Sequence, residues 1–118
     1  MKEVVAIIQM KKMEETKNAL DTVGFPAFTA YKAQGRGKQR GLEIVYPSDL
    51  EELREGSVKF LPKRMISVVV EDEFVPAVVA VITRVNRTGN IGDGRIFVSP
   101  IEESVRIRTG ERGSEAVS

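Results

Sequence analysis

Val4, Ala6 and Ile8 alternate with Val5 and Ile7 across Glu3–Gln9. Period-two spacing predicts a strand, and apolar residues at both phases predict that both of its faces are covered. Over residues 12–23 the spacing changes. Met13, Thr16, Leu20 and Val23 recur at helical intervals, with Gly24 as a stop and Pro26 beyond it. Residues 27–34 read as a second strand, and residues 63–70 as a third ending in Val68-Val69-Val70. Glu71-Asp72-Glu73 suits the positive end of a helix, and Pro76 is tolerated in a first turn. Val75, Val78, Val79 and Ile82 then mark a helix running to about residue 86. Valine and isoleucine are weak helix formers, so periodicity decides here, not propensity. A glycine turn over 88–94, a strand over 95–99 and a short strand over 104–108 complete the pattern, and the tail from Gly110 reads as loose.

The order is strand-helix-strand, a long interruption, strand-helix-strand, then a short strand. Two split βαβ halves in this order predict an α+β, ferredoxin-like βαββαβ sandwich in a single domain. Both helices cover one sheet face, yet the first strand is apolar on the other face too. An exposed apolar face of that size marks an interface, so a homo-oligomer is expected.

The interruption, residues 35–60, opens with Gly35-Arg36-Gly37-Lys38-Gln39-Arg40-Gly41 and turns acidic at Asp49, Glu51, Glu52 and Glu55. A loop of this length inside a small domain tends to carry function. A flexible basic linker fits its start. So does a flap closing over an anion, with Gln39 offering an oxygen to magnesium and Lys63 pairing a carboxylate.

Composition narrows the chemistry. The 118 residues carry 18 basic and 17 acidic side chains, so no strong overall field draws nucleic acid. There is no cysteine and no histidine. Disulfides, thiolate or imidazole metal sites and histidine acid–base catalysis are therefore excluded, and any metal would be a hard cation on oxygen ligands. The chain opens directly in a strand pattern and has no apolar run of membrane-spanning length, so a cytoplasmic protein without membrane insertion is expected.

The densest chemistry lies in Thr88-Gly89-Asn90-Ile91-Gly92-Asp93-Gly94-Arg95-Ile96-Phe97-Val98. Glycines let successive N–H groups converge on an anion, and Arg95 adds a fixed charge at the junction with the strand. A plain tight turn gives the same glycine spacing. Asp93 is suited to orienting the loop or to contacting a ribose or metal. On the strand 104–108, Arg106 and Arg108 would share one face. They suggest a polyphosphate site, although a solvated strand face has the same pattern. No nucleophile–base pair is visible.

The glycine turn, followed by Arg106-Ile107-Arg108-Thr109-Gly110-Glu111, resembles the C-terminal signature of the PII signal-transduction family. The resemblance takes in the opening strand, Gly35–Gly41 and Phe60-Leu61-Pro62-Lys63, nearly the whole chain. It implies a ferredoxin-like trimer with ATP or ADP in clefts between subunits. It also implies 2-oxoglutarate joining MgATP at the base of the long loop, the T-loop. By resemblance, Gly92, Asp93, Gly94 and Arg95 hold phosphates, with Thr88 and Lys38 also at the nucleotide. Arg106 and Arg108 reach it from the neighbouring subunit, and Ile7, Thr29 and Val69 line the base and ribose. Gln39 ligates magnesium. Arg36, Gly37, Arg40 and Gly41 surround 2-oxoglutarate, and Lys63 pairs one of its carboxylates.

The chain departs from the family pattern in places. Its T-loop is longer and lacks the tyrosine near the tip that some bacterial members have uridylylated, since Tyr46 comes too early. Lys38 stands where arginine is common, and Ser67 replaces a common glutamate. Gly24-Phe25-Pro26, Arg64-Met65-Ile66-Ser67, Val85–Asn90 and Ser99-Pro100-Ile101-Glu102 resemble the archaeal nitrogenase-regulating NifI branch, its longer-loop paralogue in particular. That branch implies inhibition of dinitrogenase, relieved by 2-oxoglutarate with ATP, in a homotrimer or a hetero-oligomer with a paralogue. Three other functions are alternatives. One is a general PII protein acting on an ammonium transporter or glutamine synthetase. Another is a weak ATPase, and the third is an RNA-binding module, for which clustered stacking aromatics are missing.

Overall fold

The computed structural model describes residues 1–35 and 61–117. Four strands form one sheet: β1 (Lys2–Gln9), β2 (Thr29–Gly35), β3 (Leu61–Val70) and β4 (Gly94–Pro100). Helix α1 (Met13–Thr22) follows β1 after a 3-10 turn at Met10–Lys12. Helix α2 (Val75–Asn86) follows β3 after a second 3-10 turn at Asp72–Phe74. The strand order β2-β3-β1-β4 is antiparallel throughout. With the helices in this order, it is the ferredoxin-like arrangement the pattern predicts.

Register sorts the two sheet faces. Val4 pairs with Val68 and Val98, and Ala6 with Ile66 and Ile96. Val4, Ala6, Ile8, Ile66, Val68 and Val70 are buried with Leu20 of α1 and Val78, Val81 and Ile82 of α2. The core is thus one sheet face under two helices. A buried polar pair crosses it: Asn86 Nδ2 donates to Thr16 Oγ1 at 3.0 Å and to the Ile82 carbonyl at 2.9 Å, pinning α1 to α2.

The opposite face carries Val5, Ile7, Met65, Val69, Tyr31 and Phe97, the last 53% exposed. Among the described residues nothing covers this apolar stretch, which matches the second apolar phase read in β1.

Several details differ from expectation. Val23 is exposed and does not extend the α1 stripe into the core, because the helix has ended and Gly24 turns the chain with φ +96°. Residues 104–108 do not form a strand. Gly110 and Gly113 both have positive φ and fold the segment back on itself, leaving one bridge pair, Val105 with Arg112. The tail is not loose throughout, since a short helix, α3 (Ser114–Val117), follows.

Leu20 is fully buried between the helices and the sheet. Leu20→Ala should lower unfolding free energy by about 2 to 5 kcal/mol in chemical denaturation.

Candidate functional site

The last position of β1, the first positions of β3 and β4, and the turn between α2 and β4 meet at one end of the sheet. Gly35 pairs with Leu61 there, so the long loop is rooted at the same end. Helix α2 stops at Asn86, and Arg87 is already extended. Gly89, Gly92 and Gly94 then take φ of +87°, +102° and +120°, a conformation side chains resist. Gly94 is the most constrained. A Cβ there would lie 2.1 Å from the Ile7 carbonyl oxygen, so β4 approaches β1 closely only because this residue has no side chain.

Asp93 holds the turn closed. The Thr88 N–H donates to its Oδ2 at 2.7 Å and the Gly89 N–H at 3.0 Å, while the Thr88 hydroxyl donates to Oδ1. The Thr88 oxygen in turn accepts from the Asn90 N–H at 3.2 Å. Of the roles suggested by sequence, Asp93 performs the orienting one. These bonds, first the Thr88 hydroxyl and then the backbone N–H groups, hold its carboxyl below the usual range, assisted by the charge of Lys12.

The Gly92 carbonyl is the second anchor. It accepts from Gln9 Nε2 at 3.1 Å and from Lys63 Nζ at 3.2 Å. The turn is therefore tied to the end of β1 and to the strand by which the long loop returns. Gln9, Met10, Lys11, Leu61, Lys63 and Gly92 line a recess of about 380 Å³ at this junction. A second recess of about 340 Å³ opens beside α2, where Arg87, Asp93, Gly94 and Arg95 form the rim over Ile8, Ile82 and Ile96.

Among the expected site residues, the turn brings Thr88, Gly92, Asp93, Gly94 and Arg95 together with Lys63. Ile7 pairs with Arg95 on the open face. Thr29 pairs with Ser67 and Val69 with Glu3, toward the other end of that face. Arg106 and Arg108 do not share a strand face. Arg106 Nη1 donates to Glu111 Oε1 at 2.8 Å and Nη2 to the Glu115 carbonyl at 2.9 Å, whereas Arg108 lies exposed in a turn. Arg36, Gly37, Lys38, Gln39, Arg40 and Gly41 lie outside the described residues. Sequence reasoning passed over Gln9. Its signal is a polar residue following Ile8 as the last position of β1, at the sheet end where β4 begins.

Gly94→Ala should cost about 2 kcal/mol or more in a thermal or denaturant melt, from backbone strain and the clash with Ile7. The Asp93 contribution depends on pH. Its folded pKa is depressed, so the stabilisation is present above the ordinary carboxylate pKa and lost as pH falls through the folded value. Asp93→Asn should therefore melt below the wild type at pH 7, and the gap should close in melts run well below pH 3.8.

Comparison with known proteins agrees with this geometry. Residues 1–111 match the family model described as nitrogen regulatory protein P-II. A GlnB-like protein 2 of the nitrogen fixation nifHD region in Methanothermobacter marburgensis is 50% identical, over 99% of this chain and 100% of its own. Its counterpart in Methanothermococcus thermolithotrophicus is also 50% identical, over 99% and 98%. The crystal structure of Arabidopsis thaliana PII bound to citrate superposes with a TM-score of 0.77 at 30% identity, covering 99% of this chain and 89% of that one. The chain belongs to the PII family of nitrogen regulatory proteins, with relatives in its archaeal nifHD-region branch.

Proposed function

We propose that this protein reports cellular energy and nitrogen status to the nitrogen-fixation machinery. In this reading it binds ATP or ADP at the glycine turn, adds 2-oxoglutarate with MgATP at the base of the long loop, and inhibits dinitrogenase reversibly by direct binding. Two relatives named for a nitrogen fixation region support the target, and the family match supports the ligands.

One observation carries the proposal: Lys63 Nζ reaches the Gly92 carbonyl at 3.2 Å. It joins the phosphate-suited turn to the exit of the long loop. An ammonium has three donors, so one bond to Gly92 still allows Lys63 to meet a carboxylate of 2-oxoglutarate. Occupancy of the turn and the setting of the loop are then parts of one linked equilibrium. Ligands that fit the loop's partner-bound and partner-free arrangements differently shift the population between them.

The apolar open face of Val5, Ile7, Met65 and Phe97 supports a trimer, or a mixed assembly with a paralogue, that buries it. In that assembly Arg106 and Arg108 meet the phosphates held by the neighbouring subunit, and Ile7, Thr29 and Val69 line the base and ribose. No group of three acidic, cysteine or histidine side chains is gathered for a metal among the described residues. Magnesium would accordingly arrive with the nucleotide, held by phosphate oxygens and Gln39. The role is that of a switch and not of a catalyst.

Titration calorimetry with 2-oxoglutarate tests the coupling. Binding should be strong with MgATP and weak without it, and equal binding in both would contradict the coupled site. Arg106→Ala should weaken ATP about tenfold or more while the folded spectrum is kept. Unchanged affinity would argue against the cleft between subunits.

A further inference from the structure

Glu3 is the only carboxylate carried by the four strands. Its register places it on the open face, opposite Val69 of β3 and Ser99 of β4. The adjoining row on that face runs Thr29, Ser67, Val5 and Phe97. Ser67 is the diagonal neighbour of Glu3, and its hydroxyl donates to Glu3 Oε2 at 2.5 Å. The bond draws the carboxylate across β3 toward Thr29. Glu3, Ser67, Thr29 and Val69 thus form one corner of the sheet face.

A carboxylate is out of place beside Val5, Val69 and Phe97. Covering that face strips water from Glu3, which is already half-buried in a single chain. An ionised carboxylate accepts at about four lone-pair positions, and one serine hydroxyl fills one of them. Whatever covers this corner has to bring donors.

We infer that Glu3 recognises the nucleoside of the bound nucleotide, accepting an N–H or O–H bond from it beside Thr29 and Val69. The inference rests on the reading that Thr29 and Val69 line the base and ribose. A carboxylate can only accept. It pairs with the exocyclic amine of adenine and repels the carbonyl oxygen that guanine carries at that position. The ribose hydroxyls are the other donors of the same chemistry. Ser67 acts as a positioning residue, holding the carboxylate toward the corner.

The test measures affinities of wild type, Glu3→Ala, Glu3→Gln and Ser67→Ala for MgATP, MgGTP and 2′- and 3′-deoxy-ATP, with assembly mass followed in parallel. Glu3→Ala should weaken ATP by about tenfold or more, the scale of a hydrogen bond to a charged group. Ser67→Ala should weaken it less. If Glu3→Ala leaves GTP unchanged, the donor is the base amine. If it weakens ATP and GTP alike but leaves one deoxy-ATP unchanged, the donor is that ribose hydroxyl. Glu3→Gln keeps shape and an acceptor, so it stays informative should the alanine variant fail to assemble, and it should also weaken ATP. Wild-type affinity for every nucleotide in the Glu3 variants would overturn the inference and leave the nucleotide site standing. Dissociation of the assembly at unchanged ATP affinity would overturn it too, assigning Glu3 to a subunit contact. A wild-type protein that binds no ATP would instead remove the reading on which the inference rests.

Discussion

The two bonds that converge on the Gly92 carbonyl organise this molecule. Gln9 reaches it from the end of β1 and Lys63 from the start of β3. A glycine-rich turn on its own is a floppy connection with a large entropy to lose. Here it is held from two strands on one side and closed internally by Asp93 on the other. Neither bond is strong, each contributing about 1 to 3 kcal/mol at most. Together they fasten the middle of the turn to the end of β1 and the start of β3. They also make the turn and the root of the long loop one mechanical unit.

The sheet supplies that unit with a fixed base. Gly94 lets β4 approach β1 at a distance that no side chain tolerates, so Ile7 and Arg95 come opposite each other. The core beneath is apolar and tightly buried, from Val4 and Ala6 to Val78 and Ile82. The polar Thr16–Asn86 contact fixes how the two helices sit over it. The glycine turn and Arg95 thereby stand at the end of a well-packed sheet, where Gly35 and Leu61 also flank the long interruption.

Much of this was legible in the residues. The alternation of Val4–Ile8 gave β1 both its strand character and its two apolar faces, and the stripe of Val75, Val78, Val79 and Ile82 gave α2 despite poor helix propensity. Glycines 89, 92 and 94 marked the turn. Other features depend on distance across the fold and leave no local trace. Lys63 and Gly92 are far apart in sequence and meet only through the β3-β1-β4 register. Arg106 and Arg108 have strand spacing, but Gly110 and Gly113 reverse the chain, and Glu111 claims Arg106. In the sequence Glu3 only opens the first strand, and the register is what sets it beside Val69 and Ser67.

Hydrogen exchange of two peptides, one covering Thr88–Gly94 and one covering Leu61–Arg64, reads the central claim most directly when MgATP and 2-oxoglutarate are titrated together. Linkage through Gly92 predicts that both peptides gain protection at the same ligand concentration in the wild type, and that Lys63→Met uncouples them. Protection of the turn with no change at the loop exit, or an unaltered response in Lys63→Met, would contradict it.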